Sequence, residues 1–166
     1  WGVKLSTMFH MSNDSHLFRT RAELESEGWT LKGNVFVKGQ DQMLPLYEGR
    51  LGHQFNHRFA QEPNGETVSV TDSQLLDPGF QVEPNNWVPT PDAVEMLGRR
   101  RGLCRTGLLG YRRVARAGDE RTVVACILPW GPASYGFIIT SGPDAAGLLL
   151  LESLYNSFVY DFVARS

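Results

Sequence analysis

The chain contains few cysteines and no long apolar segment, and these absences restrict the class of protein. Two of its 166 residues are cysteines, Cys104 and Cys126, so the several disulfides of a small secreted protein are excluded. We expect two reduced, buried thiols, with one Cys104–Cys126 disulfide as the alternative. The longest apolar stretch, residues 147–151, is far shorter than the roughly 20 residues of a membrane span. No signal peptide is recognisable, and we expect a cytoplasmic protein without membrane contact.

Length and composition predict a single folded domain over residues 1–166. Hydrophobic residues make up 42% and aromatic residues 11% of the chain, which is more apolar content than a disordered segment has. Chains of roughly 100–200 residues usually bury one core. The sequence starts at Trp1 rather than at Met and stops within a helix-like segment at Ser166, so we expect a fragment of a longer chain.

Hydrophobic periodicity and turn residues predict an α+β fold of short strands, mixed or antiparallel, and three helices. Thr20 and Glu23 form a capping box that begins a helix over residues 21–27, and Thr90 with Pro91 begins another that extends to residue 97. A C-terminal amphipathic helix starts at Asp144, with one apolar stripe at helical spacing: Leu148, Leu151, Tyr155, Phe158, Val159 and Phe162. Strands are predicted at residues 3–8, 35–37, 43–47, 108–114, 122–128 and 135–140.

The segment from Glu48 to Phe59 alternates between two residue classes and is predicted to be a strand. One face would be apolar, with His53 and His57 among its residues. The opposite face would carry a row of hydrogen-bonding side chains: Arg50, Gln54, Asn56 and Arg58. Residues 61–91 are rich in Pro, Asn, Asp and Gly, so they are predicted to form long surface loops, with one possible strand at 67–70.

Positive charge is concentrated in one segment of an acidic chain. Residues 99–121 hold eight arginines and two acidic residues, which gives a formal charge of +6, whereas the other 143 residues sum to −8. The eight are Arg99, Arg100, Arg101, Arg105, Arg112, Arg113, Arg116 and Arg121. A basic stripe on an acidic body would orient a polyanion toward one face; intramolecular ion pairs on a solvated surface are the alternative.

Sequence motifs of several enzyme classes are missing. The chain has no phosphate-binding Gly-x-x-x-x-Gly-Lys loop, no Gly-x-Gly-x-x-Gly after a strand and no Gly-x-Ser-x-Gly elbow. His53 and His57 are four residues apart, the spacing of two metal ligands on a helix, but the predicted strand and the lack of a third ligand nearby disfavour a metal site. The sequence thus offers no self-contained active site, which favours a binding module.

Four blocks of the sequence together resemble one family, in matching order and spacing. They are residues 13–18 (NDSHLF) with 33–36 (GNVF), 44–50 (LPLYEGR) with 53–58 (HQFNHR), 110–116 (GYRRVAR) with 119–122 (DERT), and 156–165 (NSFVYDFVAR). They resemble the C-terminal, DNA-specificity half of large bacterial adenine-specific DNA methyltransferases, a group that includes type IIG restriction–modification enzymes and methylases of phage-defence systems. The resemblance spans nearly the whole chain, with poor matching between residues 61 and 103.

The resemblance implies a target-recognition domain that is not catalytic alone. In the family, a separate catalytic domain transfers a methyl group from S-adenosylmethionine to the N6 amine of a flipped adenine. That domain carries an Asn-Pro-Pro-aromatic loop and a Gly-rich cofactor turn, which this chain lacks. The implied partners are double-stranded DNA and the catalytic domain of the same parent chain, with no cofactor in this fragment. Base flipping requires a surface that holds the duplex, and a recognition domain provides it.

The resemblance and the residue pattern give one set of candidate DNA contacts. Phosphates would be held by Arg112, Arg113, Arg116 and Arg121, while Asp119 and Glu120 would orient these arginines or accept from a cytosine amine. Base edges would be read by Arg50, Gln54, Asn56 and Arg58. For each set the alternative is a structural ion pair or a contact with the methyltransferase half.

Two other functions are left open by the sequence. A protein–protein docking module would present the +6 segment to an acidic partner, such as the catalytic half or another defence subunit. A metal-dependent hydrolase that uses His53 and His57 is a more distant alternative.

Overall fold

The computed structural model describes residues 2–98, 107–115, 118–142 and 144–165. Within these residues the chain forms ten strands and five α-helices, which confirms the α+β class but not the predicted three helices. The strands are β1 Lys4–Ser6, β2 Thr30–Lys32, β3 Val35–Lys38, β4 Asp41–Pro45, β5 Ala60–Gln61, β6 Val68–Ser69, β7 Trp87–Pro89, β8 Leu108–Arg112, β9 Ala125–Leu128 and β10 Phe137–Ser141. The helices are α1 Arg21–Ser26, α2 Asp72–Leu76, α3 Thr90–Gly98, α4 Ala145–Tyr155 and α5 Phe158–Arg165.

Two antiparallel four-stranded sheets form the frame of the fold, with strand orders β1-β10-β8-β9 and β2-β3-β4-β7. Strand β7 lies in the segment predicted as surface loops, and that prediction is wrong there. The indole of Trp87 is fully buried, and its Nε1 donates to the carbonyl oxygen of Asn34 at 2.8 Å. Burial of this apolar side chain stabilises a strand, although the surrounding residues favour loops.

The sheet that contains β8 and β9 is covered on both faces. Leu108, Cys126 and Leu128 pack into the main core, which also contains residues of the second sheet and of α3. Leu109 and Ala125 point the other way and pack against α4. This alternation follows from the period of two in a strand. Cys126 is a free, buried thiol, and burial raises its pKa to about 12; Cys104 lies outside the described residues.

The predicted strand over residues 48–59 is wrong. Gly49–Leu51 form a 3₁₀ turn, and a tight turn follows in which His53 and Asn56 exchange backbone hydrogen bonds of 2.7 and 3.0 Å. Phe55 has a positive φ of 58° and is 61% exposed. Gly49 lies directly against the backbone of Gly136, where a side chain would not fit. The residue types alternate along this segment, but because the segment is not a strand, they do not mark the two faces of a sheet.

The predicted single C-terminal helix is two helices, separated at Asn156 and Ser157. Asn156 ends α4, and its side-chain amide pairs with both backbone groups of Ala125, accepting from N–H at 3.0 Å and donating to C=O at 2.8 Å. The predicted apolar stripe is consequently split between α4 and α5. Its first half is buried (Leu148, Leu151 and Tyr155), and its second half is exposed (Phe158, Val159 and Phe162).

We predict that Gly49→Ala destabilises the fold by about 1–3 kcal/mol, the usual cost of overpacking. A Cβ at this position would lie 2.7 Å from the carbonyl oxygen of Gly136, whereas a Cβ at Gly131 would meet nothing within 4 Å. The measurement is urea unfolding of both variants, with Gly131→Ala as the control. Equal unfolding midpoints for the two variants would contradict the close approach.

Candidate nucleic-acid interface

An arginine-lined groove of about 570 Å³ lies where β8, the 3₁₀ turn and the segment before β10 meet. Arg50, Arg112 and Arg113 contribute to it together with Asp119, so four of the predicted DNA contacts are brought to one place. The other lining residues are Met11, Glu48, Gly49, Val114, Ser134, Tyr135 and Gly136. Three arginines and two acidic residues, Glu48 and Asp119, thus line the groove.

Arg50 is held at the edge of the groove by two buried carboxylates. Its Nη2 lies 3.0 Å from Glu48 and its Nε 2.5 Å from Glu62, while 52% of its side chain is exposed. Asn86 donates to the other oxygen of Glu48 at 3.3 Å. Burial, with a smaller contribution from Glu48, raises the pKa of Glu62. The guanidinium is therefore fixed in one orientation with part of its surface open to solvent.

Arg112 supports the turn that forms one side of the groove. Its Nε donates to the carbonyl oxygens of Gly49 and Gly52, both at 3.0 Å, and its guanidinium carbon lies 5.9 Å from the ring centre of Phe59. Burial lowers the pKa of Arg112, although a guanidinium stays protonated at neutral pH. Arg112 is thus both a structural residue and a fixed positive charge in the groove.

Arg113 is an exposed arginine of the groove. Its guanidinium carbon lies 5.3 Å from the ring centre of Tyr135, and that ring stacks on His10 at 5.7 Å with an interplanar angle of 19°. Neither Tyr135 nor His10 is predicted as a site residue, because pairing of β8 with β10 brings Tyr135 to Arg113 and the fold of the N-terminal segment brings His10 to Tyr135. Because these residues are far apart along the sequence, no local sequence pattern indicates that they are in contact. Arg113 therefore presents an oriented positive charge to solvent.

Arg121 is buried, contrary to its predicted role as an exposed phosphate contact. Its side chain is 8% exposed; Nη2 donates to the carbonyl oxygen of Asn156 at 2.6 Å, and Nε lies 3.7 Å from Asp161. The ring of Phe158 covers the guanidinium at 4.3 Å. In the amide orientation that satisfies both groups, Gln54 accepts from Arg121 at 3.1 and 3.2 Å. Gln54 and Arg121 thus join the 53–56 turn to the junction of α4 and α5.

The turn at Asp119 and Glu120 is held by α5. Arg165 donates to the carbonyl oxygens of these two residues at 3.0 and 3.2 Å. One oxygen of Asp161 accepts from the N–H groups of Thr122 and Val123 at 2.7 and 2.8 Å, which lowers the pKa of Asp161. Of the two turn acids, Asp119 lines the groove and Glu120 is exposed. These contacts directly support the alternative stated above for this turn, which is a structural role in place of contact with DNA.

Asn56 and Arg58 are engaged elsewhere in the fold. The side chain of Asn56 accepts from the backbone N–H of Arg58 at 2.8 Å. The Arg58 guanidinium donates to the carbonyl oxygens of Leu75, Asp77 and Phe80 at 3.0, 3.0 and 3.4 Å, at the C-terminal end of α2. The predicted row of four base-reading side chains does not form, and Arg50 is the member that lines the groove.

Several predictions fall on residues outside the described part of the chain: Arg116, a candidate DNA contact, and Arg99, Arg100, Arg101 and Arg105 of the basic segment. Among the described residues, no group of three or more His, Cys, Asp or Glu side chains is placed to hold a metal ion. Burial lowers the pKa of both His53 and His57. No helix in the described ranges is long and apolar enough to cross a membrane.

No protein family, curated protein or solved structure matches the chain. The groove and the resemblance of the four sequence blocks are therefore the observations that bear on its function.

We predict that Arg121→Met and Arg113→Met, which remove the same charge, have different effects on stability. Loss of the buried Arg121 removes the donor to the Asn156 carbonyl oxygen and the cation that faces Asp161, and it should lower the free energy of unfolding by about 3 kcal/mol. Loss of the exposed Arg113 should change it by less than about 1 kcal/mol. Urea denaturation of the two variants measures the difference. Equal effects would show that Arg121 does not have the structural role described above.

Proposed function

We propose that this domain recognises and holds double-stranded DNA for a bacterial adenine-N6 methyltransferase of the restriction–modification or phage-defence type. The observation that carries the proposal is the groove in which Arg50, Arg112 and Arg113 converge. Guanidinium groups bind phosphates and guanine edges through paired N–H donors. The resemblance of the four blocks supports the same function, and the domain would not be catalytic by itself.

The two kinds of arginine in the groove suit different contacts. Arg113 is exposed, and we assign it to a phosphate. Arg50 is fixed by Glu48 and Glu62 at the edge of the groove, and we assign it to a guanine edge. Because Arg50 and Arg112 are already held by hydrogen bonds, they would lose little side-chain entropy when DNA binds. The nearby carboxylates offset part of the positive charge, so the isolated domain should bind DNA weakly.

The remaining parts of the activity are proposed for the parent protein. Its catalytic domain would bind S-adenosylmethionine and take the flipped adenine into its pocket, while this domain keeps the duplex in place. That division of labour assigns no cofactor to the present chain and places the protein in the cytoplasm, where it meets DNA. An acidic protein that docks in the same groove is the competing function, and the binding experiment below separates the two.

We predict that Arg113→Ala weakens DNA binding and reduces its dependence on salt. Loss of one phosphate contact should lower the slope of log K against log [NaCl] by about 0.9 and weaken binding by about fivefold to tenfold at low salt. Fluorescence anisotropy with a labelled short duplex measures both quantities. Lys32→Ala is the control, because Lys32 is an exposed cation on β2 that does not line the groove.

The outcome discriminates between the two functions. Unchanged slopes for Arg113→Ala would exclude Arg113 as a phosphate contact. Failure of the 166-residue chain to bind duplex DNA, combined with binding of an acidic peptide that Arg113→Ala abolishes, would replace the DNA proposal with the docking function. Heparin competition provides a second readout, since a polyanion should displace DNA from the groove.

A further inference from the structure

Seven large apolar side chains of the adjoining helices α4 and α5 are exposed, and we call them together the apolar helical face. Three of its side chains come from α4 and four from α5. Their exposed fractions lie between 48% and 82%: Leu149, Leu150, Leu154, Phe158, Val159, Phe162 and Val163. Surface helices of a globular domain usually turn charged or polar residues to solvent, but on α4 and α5 the seven apolar side chains outnumber the exposed polar ones, which are Ser153, Tyr160 and Arg165.

The apolar helical face carries no charged side chain from residues 145–164. That stretch contains two charged residues, Glu152 and Asp161, and both are buried. Glu152 accepts from the backbone N–H of Ile127 at 3.1 Å, and Asp161 binds the backbone of the 119–123 turn. The two acidic groups thus bind neighbouring backbone, and no charged side chain is exposed within residues 145–164.

The area of the apolar helical face is that of a protein interface. From the exposed fractions and ordinary side-chain areas it amounts to roughly 800 Å², more than the roughly 300–600 Å² of the largest patch on a typical monomer. A standard interface buries about 800 Å² on each partner. A single partner that covered this face would therefore bury enough area for a stable complex.

We propose that the apolar helical face is the interface between two copies of this chain. In a two-fold dimer the same surface meets itself, so the surface must be complementary to itself. An uncharged apolar surface meets this requirement, since no like charges are brought together. DNA is excluded as the occupant because the face offers no positive charge to phosphates. The face shares no residue with the arginine-lined groove, so dimerisation extends the proposed function without depending on it.

Sedimentation velocity of the 166-residue chain tests this dimer over protein concentrations from about 1 to about 100 µM. The unmodified chain should shift from monomer to dimer. Val159→Lys with Val163→Lys should raise the dissociation constant at least about 100-fold, because it places four positive charges in the buried centre. Lysine has a higher helix propensity than valine, so α5 should be retained.

The matched control is Leu76→Lys with Val94→Lys. It adds the same charge at exposed apolar positions on α2 and α3, outside the apolar helical face, and should leave dimerisation unchanged. If circular dichroism shows that the double α5 variant is unfolded, the single Val163→Lys variant is used in its place.

The proposal would be overturned by a monomer at every concentration, by a dimer that the α5 variants do not weaken, or by a dimer that the control variant weakens equally. Salt separates this test from that of the DNA proposal. An apolar interface should persist as NaCl is raised, whereas DNA binding should be lost; a dimer that dissociates in high salt would also overturn the inference.

Discussion

The buried contacts of Arg121 with Asn156 and Asp161 are the constraint on which the two proposed functional surfaces depend. Asn156 satisfies both backbone groups of Ala125, Asp161 satisfies two N–H groups of the adjoining loop, and Arg121 donates to Asn156. A buried guanidinium or carboxylate is costly unless it is paired and hydrogen-bonded. The buried guanidinium of Arg121 therefore requires the Asn156 carbonyl oxygen and the Asp161 carboxylate. Together they fix the turn beside the groove and the direction in which α5 leaves α4.

Much of the arginine content serves the fold rather than the surface. Arg58 satisfies three carbonyl groups near the end of α2, Arg112 satisfies two carbonyls of the 49–52 turn, and Arg165 satisfies two carbonyls of the 119–120 turn. A guanidinium has five donors in a planar fork, so it can donate to several backbone carbonyl groups at once. The formal charge counted along the sequence is consequently larger than the positive charge exposed to solvent. The exposed Arg113 therefore contributes more to the surface charge than one of eight arginines in the count suggests.

Local sequence patterns predicted the elements that are stabilised by contacts between residues close together in the sequence. The capping box of Thr20 and Glu23 is present as expected, because both partners lie in one turn. The segment 48–59 was misassigned because its conformation depends on contact with Gly136, far along the chain. Four predicted contacts share the groove, including Arg112 and Arg113 at the end of β8. Tyr135, which orients Arg113, is brought there by strand pairing that a single sequence does not specify.

The end of α4 shows why an apolar stripe does not by itself indicate burial. Helical spacing places Tyr155 and Phe162 on one predicted stripe, but Asn156 ends α4 by pairing with β9 and α5 starts in a new direction. Tyr155 then packs on the sheet while Phe162 faces water. The 119–123 turn is clamped by α5 on one side and contributes Asp119 to the groove on the other. The apolar helical face and the arginine-lined groove thus lie on either side of one turn, and the opposite responses to salt that we expect of them would make the two proposed functions separable in solution.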